Sequence, residues 1–341
     1  MNIGIIGTGG ISLFHYKGYT ANGANVVALA DVNAVALEAR KKEWNVTRGF
    51  TDYQELLAQD DIDAVSICTP NAFHHPATVA AAKAGKHVLC EKPISLSLEQ
   101  AQEMIDVAKE NNVVLQINHH LRSNGAAFHT KQMIDAGDIG RVTFMRLRQS
   151  HDWGGAESVR DSFGKIAMAG GGTMLDNGCH MFDLANYFGG EVTEVYARIG
   201  TLKFDIEVED TSVSTLKFES GAIGQVENSW SATGWEEGFW IYGTKGSLEY
   251  TNRNGKPVLR HQFRASPGTT WADTDLATYD FGGAPNHTRH IGNFLAAIRS
   301  ERDVICSGED GMKAVRLVLA SYESAKQNRP VNPSEFFSIH N

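Results

Sequence analysis

The sequence predicts an α/β chain: a parallel sheet covered on both faces by helices, followed by an α+β domain built on a mostly antiparallel sheet. Three observations carry that reading. Apolar runs at residues 3–6, 26–30, 64–68, 88–90 and 113–117 have the length and unbroken hydrophobicity of strands buried on both faces. Helical patterns at residues 11–20, 34–44, 76–84 and 98–110 lie between them, and this alternation means βαβ units. After about residue 122 the runs become strand-like segments separated by turn signals, the mark of an antiparallel sheet.

In that second part a helix over 126–136 ends at Gly137, residues 141–149 alternate as a long strand, and a helix is expected over 173–188. Strands follow at 195–202, 212–218, 223–229, 237–242 and 247–250, with turns at 220–221, 243–246 and 252–255. Two helices, 287–299 and 311–327, close the chain, and the polar, Gly-bearing stretch 263–283 reads as a surface loop. The expected division is a first domain over 1–121 and a second over 122–341.

Composition narrows the function classes. A length of 341 residues suits two domains. A formal net charge of −9 argues against nucleic acid or an anionic membrane as the main partner, since both need clustered Lys and Arg. No apolar run approaches the roughly 18 residues of a spanning helix. The start, Met1-Asn2-Ile3-Gly4, has no basic leader pattern and runs at once into a Gly-rich turn. The four cysteines, Cys68, Cys90, Cys179 and Cys306, lack disulfide or metal spacing, so a cytoplasmic chain is expected.

Gly7-Thr8-Gly9-Gly10-Ile11-Ser12 follows the first strand and opens the first helix. Gly7 permits the tight turn, Gly9 lets a pyrophosphate approach the backbone, and the helix start offers free N–H groups and a positive dipole end. Ser12 stands where Gly or Ala is usual. Asp31, at the end of the second strand, can accept ribose hydroxyls and repels a 2′-phosphate, and Val32 and Asn33 supply no cation for one. NAD is therefore expected over NADP.

Two further segments carry chemistry. Residues 85–93 form a short strand ending in Glu91-Lys92-Pro93, which puts Lys92 beyond the carboxyl end of a parallel strand, where such sheets take their ligands. Pro93 biases Lys92 to an extended conformation. In residues 170–183, three glycines precede a helix on which Asp176 and His180 share a face, with Asp183 three positions further on. A His beside carboxylates on one face is a candidate general base. A surface ion pair is the plain alternative. A metal would need further ligands that no local sequence supplies, so none is expected.

These stretches, together with Thr69-Pro70-Asn71 and His74, Arg122 with Lys131 downstream, 242–247 and 322–325, resemble the glucose–fructose oxidoreductase / inositol dehydrogenase (Gfo/Idh/MocA) family, in order and over nearly the whole chain. The family's usual Pro two residues after Arg122 is absent. The resemblance implies a Rossmann domain, a second domain with a large open-faced sheet, and frequent homo-oligomers joined through that face, hence a homodimer or homotetramer. It implies that Lys92, Asp176 and His180 match the family's Lys, Asp and His. It places Gly7, Thr8, Gly9, Gly10, Ile11, Asp31, Thr69, Pro70, Asn71, His74, Glu91 and Lys92 at the cofactor. Arg122, His151, Trp153, Arg160, Asn177 and His287 are candidate substrate contacts, an aromatic face for sugar C–H groups and polar tips for hydroxyls.

The activity expected is NAD-dependent oxidation of a secondary hydroxyl of a sugar, inositol or related polyol. Two alternatives stand beside it: a hydrolase or epimerase that recycles NAD, and a non-catalytic nucleotide sensor, which would have no need of a base.

Overall fold

Each apolar run of the first third becomes a strand, because backbone N–H and C=O groups among apolar side chains must be paired. The computed structural model, which describes residues 1–152, 162–264, 271–274 and 285–337, gives β1 (Asn2–Ile6), β2 (Asn25–Ala30), β3 (Arg48–Phe50), β4 (Ala64–Ile67), β5 (His87–Cys90) and β6 (Leu115–Ile117). All are parallel, in the order β3-β2-β1-β4-β5-β6. The order reverses between β1 and β4, and at such a switch point the carboxyl ends of the strands open a binding crevice. The connecting helices are α1 (Ser12–Ala21), α2 (Ala34–Trp44), α3 (Tyr53–Leu57), α4 (His74–Lys83) and α5 (Leu98–Glu110). Asn33 caps α2 and Ser97 caps α5, each side-chain oxygen accepting from orphan N–H groups of the first turn.

The chain divides into two compact units: Met1–Ser123 with Ala284–Met312, and Asn124–Gly283 with Lys313–Asn341. This departs from the single boundary at 121/122 expected above, because 284–312 returns to the first unit. Burial explains the return. Ile291, Phe294 and Leu295 of α9 (Asn286–Ile298) pack with Ile3, Tyr19 and Leu89 in one core cluster. Gly18 of α1 makes room for them, since a Cβ there would stand 2.4 Å from Ile291 Cδ1. An amphipathic pattern shows that a helix has a buried face but not which sheet buries it.

The second unit is built on β7 (Val142–Ser150), β8 (Val192–Gly200), β9 (Thr211–Phe218), β10 (Ile223–Ser229), β11 (Glu236–Gly243), β12 (Gly246–Arg253), β13 (Lys256–Phe263) and β14 (Ala272–Thr274), with α6 (Gly125–Asp135), α7 (Ile166–Ala169), α8 (Thr173–Gly189) and the end of α10 (Gly308–Gln327). The sheet order is β14-β13-β12-β11-β7-β10-β9-β8, antiparallel except for β7 beside β10. The helix α8 lies close on one face: a Cβ at Gly189 would come within 2.5 Å of Phe218 and 2.6 Å of Met145. The side chains that alternate to the other face, among them Phe144, Trp240, Tyr242 and Ile223, stay partly or fully exposed. On that face Arg146 makes a bidentate pair with Glu227, at 2.6 and 2.9 Å.

Four expectations are corrected. The edge strand β3 was not expected, since three residues are too few to show a period. The strand expected over 195–202 lies at Val192–Gly200, because the Asp210 carboxylate takes the N–H groups of Leu202, Lys203 and Phe204 and turns the chain. The strand β13 was masked by Pro257 and by polar residues. Of the loop expected over 263–283, residues Ala272–Thr274 form β14, held by pairing with β13 and by Arg260 on Asp273 at 2.8 Å; residues 265–270 and 275–283 lie outside the described residues. Among the described residues no helix is long and apolar enough to cross a membrane.

Candidate active site

The turn after β1 is built as its glycines require. Gly7 has φ +93°, and a Cβ there would stand 2.5 Å from the Cys68 carbonyl, so only glycine fits. Nothing lies within 4 Å of the Cβ positions of Gly9 and Gly10, so the turn is open where a pyrophosphate would rest at the start of α1. Beside Asp31, Val32 and Val35 are 90% and 82% exposed, apolar surface of the kind a base covers. These features fit a dinucleotide.

Asp31 is partly committed within the chain. Its Oδ2 accepts the N–H and the hydroxyl of Thr8, both at 2.7 Å, and its Oδ1 accepts the N–H of Asn33 at 2.8 Å. A carboxylate has about four acceptor sites, so room for one ribose hydroxyl remains on Oδ1 rather than the pair first expected. Thr8 itself is buried and acts as the tether of the turn. Arg40 of α2 donates to its carbonyl at 3.2 Å and pairs with Glu43 at 2.5 Å. That cation lies nine residues past Asp31 in sequence and reaches the turn only through the fold of α2.

At the carboxyl end of β5, Lys92 is partly exposed and Glu91 is not. Glu91 Oε1 faces His15 Nε2 at 2.8 Å and Asn118 Nδ2 at 2.5 Å, while its Oε2 accepts the Lys92 N–H at 3.2 Å. Burial alone would raise its pKa, but the His15 hydrogen bond and the positive charge of Lys92 nearby oppose that, and it comes down to about 2. Expected at the cofactor, Glu91 has its carboxylate in this internal network. His74, also expected there, is buried under the same turn, with Nδ1 2.7 Å from the Pro93 carbonyl and Nε2 3.0 Å from that of Thr69. Thr69 and Pro70 stay at the surface beyond β4, and Asn71 is buried.

Two of the expected substrate contacts fall in the first unit. Arg122 is 5% exposed and is used structurally, on Asp310 at 3.1 Å and on the Ile305 carbonyl at 3.1 Å. His287, at the start of α9, packs on His120 with ring centroids 3.8 Å apart and the rings tilted by 30°, and lies 3.3 Å from Asn118 Nδ2. Burial lowers its pKa to about 4, against the opposing pull of Glu91. Among the described residues, His15, Glu91 and His287 bring ligand-type atoms within 4.8 Å of one another. The Asn118 amide hydrogen-bonded among them accounts for that cluster without a cation.

In the second unit α8 carries Asp176 and His180, 6% and 4% exposed, with Asn177 and Asp183 also buried. The start of α8 is locked by Glu209. Its carboxylate accepts the N–H of Gly172 at 3.0 Å and of Met174 at 2.9 Å and the hydroxyl of Tyr322 at 2.9 Å, satisfying helix-end donors. This explains two of the three glycines: a Cβ at Gly172 would stand 1.9 Å from the Glu209 carbonyl oxygen, and one at Gly171 2.1 Å from the Tyr322 hydroxyl. His151 is buried, with Nε2 3.2 Å from Asn177 Oδ1, and Trp235 stacks on it at 4.7 Å with a 5° interplanar angle. Trp235 is 40% exposed and was not foreseen, although an aromatic residue after a turn glycine was there to be noticed. Trp153 and Arg160 lie outside the described residues.

The model of the oxidoreductase family with an NAD-binding Rossmann fold, GFO_IDH_MocA, matches residues 1–119, and that of the GFO/IDH/MocA C-terminal domain matches residues 129–249. The chain belongs to the Gfo/Idh/MocA oxidoreductase family. It is 30% identical to myo-inositol 2-dehydrogenase of Thermotoga maritima, over 98% of this chain and 99% of that one. It is 32% identical to 1,5-anhydro-D-fructose reductase of Ensifer adhaerens, over 89% and 90%. A solved levoglucosan dehydrogenase in complex with NADH superposes with a TM-score of 0.90 at 26% identity, over 97% of this chain and 98% of that one. The family's Rossmann domain is the first unit's parallel sheet, and its cofactor is NAD.

The buried histidines generate a pH prediction. The folded-state pKa of His287 lies near 4 against an ordinary 6.5, so between those values the unfolded chain binds a proton the folded chain does not. Stability should fall as pH drops from 6.5 towards about 4, and then further as Glu91 protonates between 4.5 and about 2. Urea midpoints measured across this range should show the decline, with a shallower slope above about pH 4.5 in His287→Gln. Equal slopes in the two proteins would contradict the assignment.

Proposed function

We propose that the chain is an NAD-dependent dehydrogenase that moves a hydride between a secondary hydroxyl carbon of a sugar, inositol or related polyol and the nicotinamide. The observation that carries the reading is Lys92, held at the carboxyl end of β5 by the Glu91 anchor, on the edge of the sheet where ligands bind. The named activities of the relatives support a cyclic, polyhydroxylated substrate. Bound NAD supplies the hydride acceptor. The Lys92 ammonium donates to the substrate oxygen and holds the charge that grows there. His180 takes the hydroxyl proton, and Asp176, one turn before it, orients the imidazole and shares its charge. His151 and Asn177 bind further hydroxyls, and the exposed Trp235 face packs on C–H groups.

NAD is the preferred form because Asp31 would face a 2′-phosphate, while the charge of Arg40 is already neutralised by Glu43. The uncovered face of the second sheet is the contact between copies. Phe144, Trp240, Tyr242 and Ile223 give it apolar area, and the Arg146–Glu227 pair gives it satisfied charge, a composition that a twofold axis makes self-complementary. The four cysteines are all buried and lack disulfide spacing, which fits the reducing cytoplasm; fractionation that recovers the protein outside it would overturn that placement.

Three measurements test this reading. Asp31→Ala should weaken NAD by roughly 1.5–3 kcal/mol, about 10- to 200-fold, since a charge-assisted bond and the Thr8 tether are lost together; a wild type that prefers NADP would overturn the role of Asp31. Light scattering at micromolar concentration should give a dimer or tetramer, and a monomer there would sink the assembly. Lys92→Ala should cost kcat about 10²–10³-fold and His180→Ala about 10²–10⁴-fold, with NAD affinity preserved. The double variant should lose less than the sum. Full activity in His180→Ala with an unchanged pH profile would remove it as the base.

A further inference from the structure

We infer that His15, with Asn118 beside it, is a positioning residue for Lys92 and acts through Glu91. The inference rests on the role proposed above for Lys92. Nothing in the motif around Lys92 points to a helix residue some 75 positions upstream; the contact exists only in the folded first unit.

The argument is one of donors and acceptors. Glu91 is ionised, so it can only accept. On Oε1 it accepts from the Asn118 amide and from His15 Nε2, and on Oε2 from the Lys92 N–H. If Nε2 of a neutral imidazole carries the proton, Nδ1 must accept, and the Ser66 hydroxyl is 2.9 Å from it. Ser66 Oγ in turn lies 2.8 Å from the Tyr19 hydroxyl, and burial raises the Tyr19 pKa so that the phenol keeps its proton to donate. In that tautomer the bonds run in one direction, from Tyr19 to Ser66 to His15 to Glu91. Tyr19, Ser66 and His15 are each 0% exposed, so no water competes for any of these groups. Asn118 places its second N–H toward His287 Nδ1; burial keeps that ring neutral, and Nδ1 accepts in the tautomer whose proton is on Nε2.

The spacing of Ser66, His15 and Glu91 is that of a hydrolytic Ser–His–carboxylate set, but no substrate reaches a serine at 0% exposure. What the chain of bonds does is hold a charged carboxylate in one orientation. The carboxylate fixes the peptide N–H of Lys92 and so the direction in which the lysine side chain leaves the strand. It also lays a permanent negative charge behind the ammonium, which favours the protonated form that a hydrogen-bond donor to substrate needs.

The experiment compares His15→Leu, which removes the donor, with His15→Gln, whose amide nitrogen can reach the position of Nε2. In His15→Leu, kcat should fall about tenfold to a hundredfold, the scale of a misplaced catalytic group, with NAD affinity within about twofold. His15→Gln should recover most of the loss. The Leu variant should also show an acidic limb in kcat moved to higher pH, as Glu91 loses its partner. Added to Lys92→Ala, the His15→Leu change should cost nothing further. A folded His15→Leu enzyme with unchanged kcat overturns the inference; so does equal loss in Leu and Gln. If Lys92→Ala is itself fully active, the role of Lys92 fails, and that result is distinct from a failure of His15. Should His15→Leu not fold, Asn118→Ala tests the same clamp from its other side, with the same loss of kcat expected and unchanged kcat counting against it.

Discussion

Removing the Glu91 carboxylate from water at the end of β5 dictates much of what surrounds it. A buried charge costs several kcal/mol unless it is paired and hydrogen-bonded, and Glu91 is met by His15 from α1, Asn118 from the end of β6, and the backbone of Lys92. His15 can serve only because Ser66 on β4 and Tyr19 on α1 satisfy its other nitrogen. The carboxyl ends of β4, β5 and β6 and the helix α1 are thus tied to one charge at the rim of the parallel sheet where a cofactor would lie.

The second unit solves the same problem with another carboxylate. Glu209 is almost fully buried and sits on the start of α8, where the helix presents unpaired N–H groups and the positive end of its dipole. Burial raises its pKa, and the bonds from Met174, Tyr322 and Gly172 work against that rise. The consequence is mechanical. The helix that carries Asp176 and His180 is pinned at its first turn, and Gly171 and Gly172 exist to let the pin come close. In both units a group expected to carry chemistry is held by a buried carboxylate that does not itself need to touch a ligand.

What was legible in the sequence divides along physical lines. Period and apolar length revealed β1, β2, β4, β5 and β6 with the helices α1, α2, α4 and α5, though not the five-residue α3, because a strand buried on both faces has no choice of composition. The Gly7 turn, Asp31, Lys92 and the Asp176–His180 spacing were legible because each is local. The partners of Glu91 and α8 were not, since His15, Asn118, Glu209 and Tyr322 come from distant segments. Asn118 did leave one signal, a polar residue directly after a strand of the parallel sheet. His15 left another, a polar side chain three residues past Ser12 on the helix face that meets the sheet. His74 and Glu91 were assigned to the cofactor by the family resemblance and Arg122 to the substrate; in the structure each of the three also bonds to buried groups of the chain itself, partners that no local motif shows.

The central claim is that these residues serve net hydride transfer from a polyol carbon to the nicotinamide. The most direct test is turnover of a cyclic polyol substrate carrying deuterium on the oxidised carbon, with product and reduced nicotinamide counted together. The account predicts one reduced nicotinamide for each product molecule, with the label found on the nicotinamide ring. Turnover with no net reduced nicotinamide, and with the deuterium kept in or lost from the product, would contradict it and leave a cofactor-recycling reaction in its place.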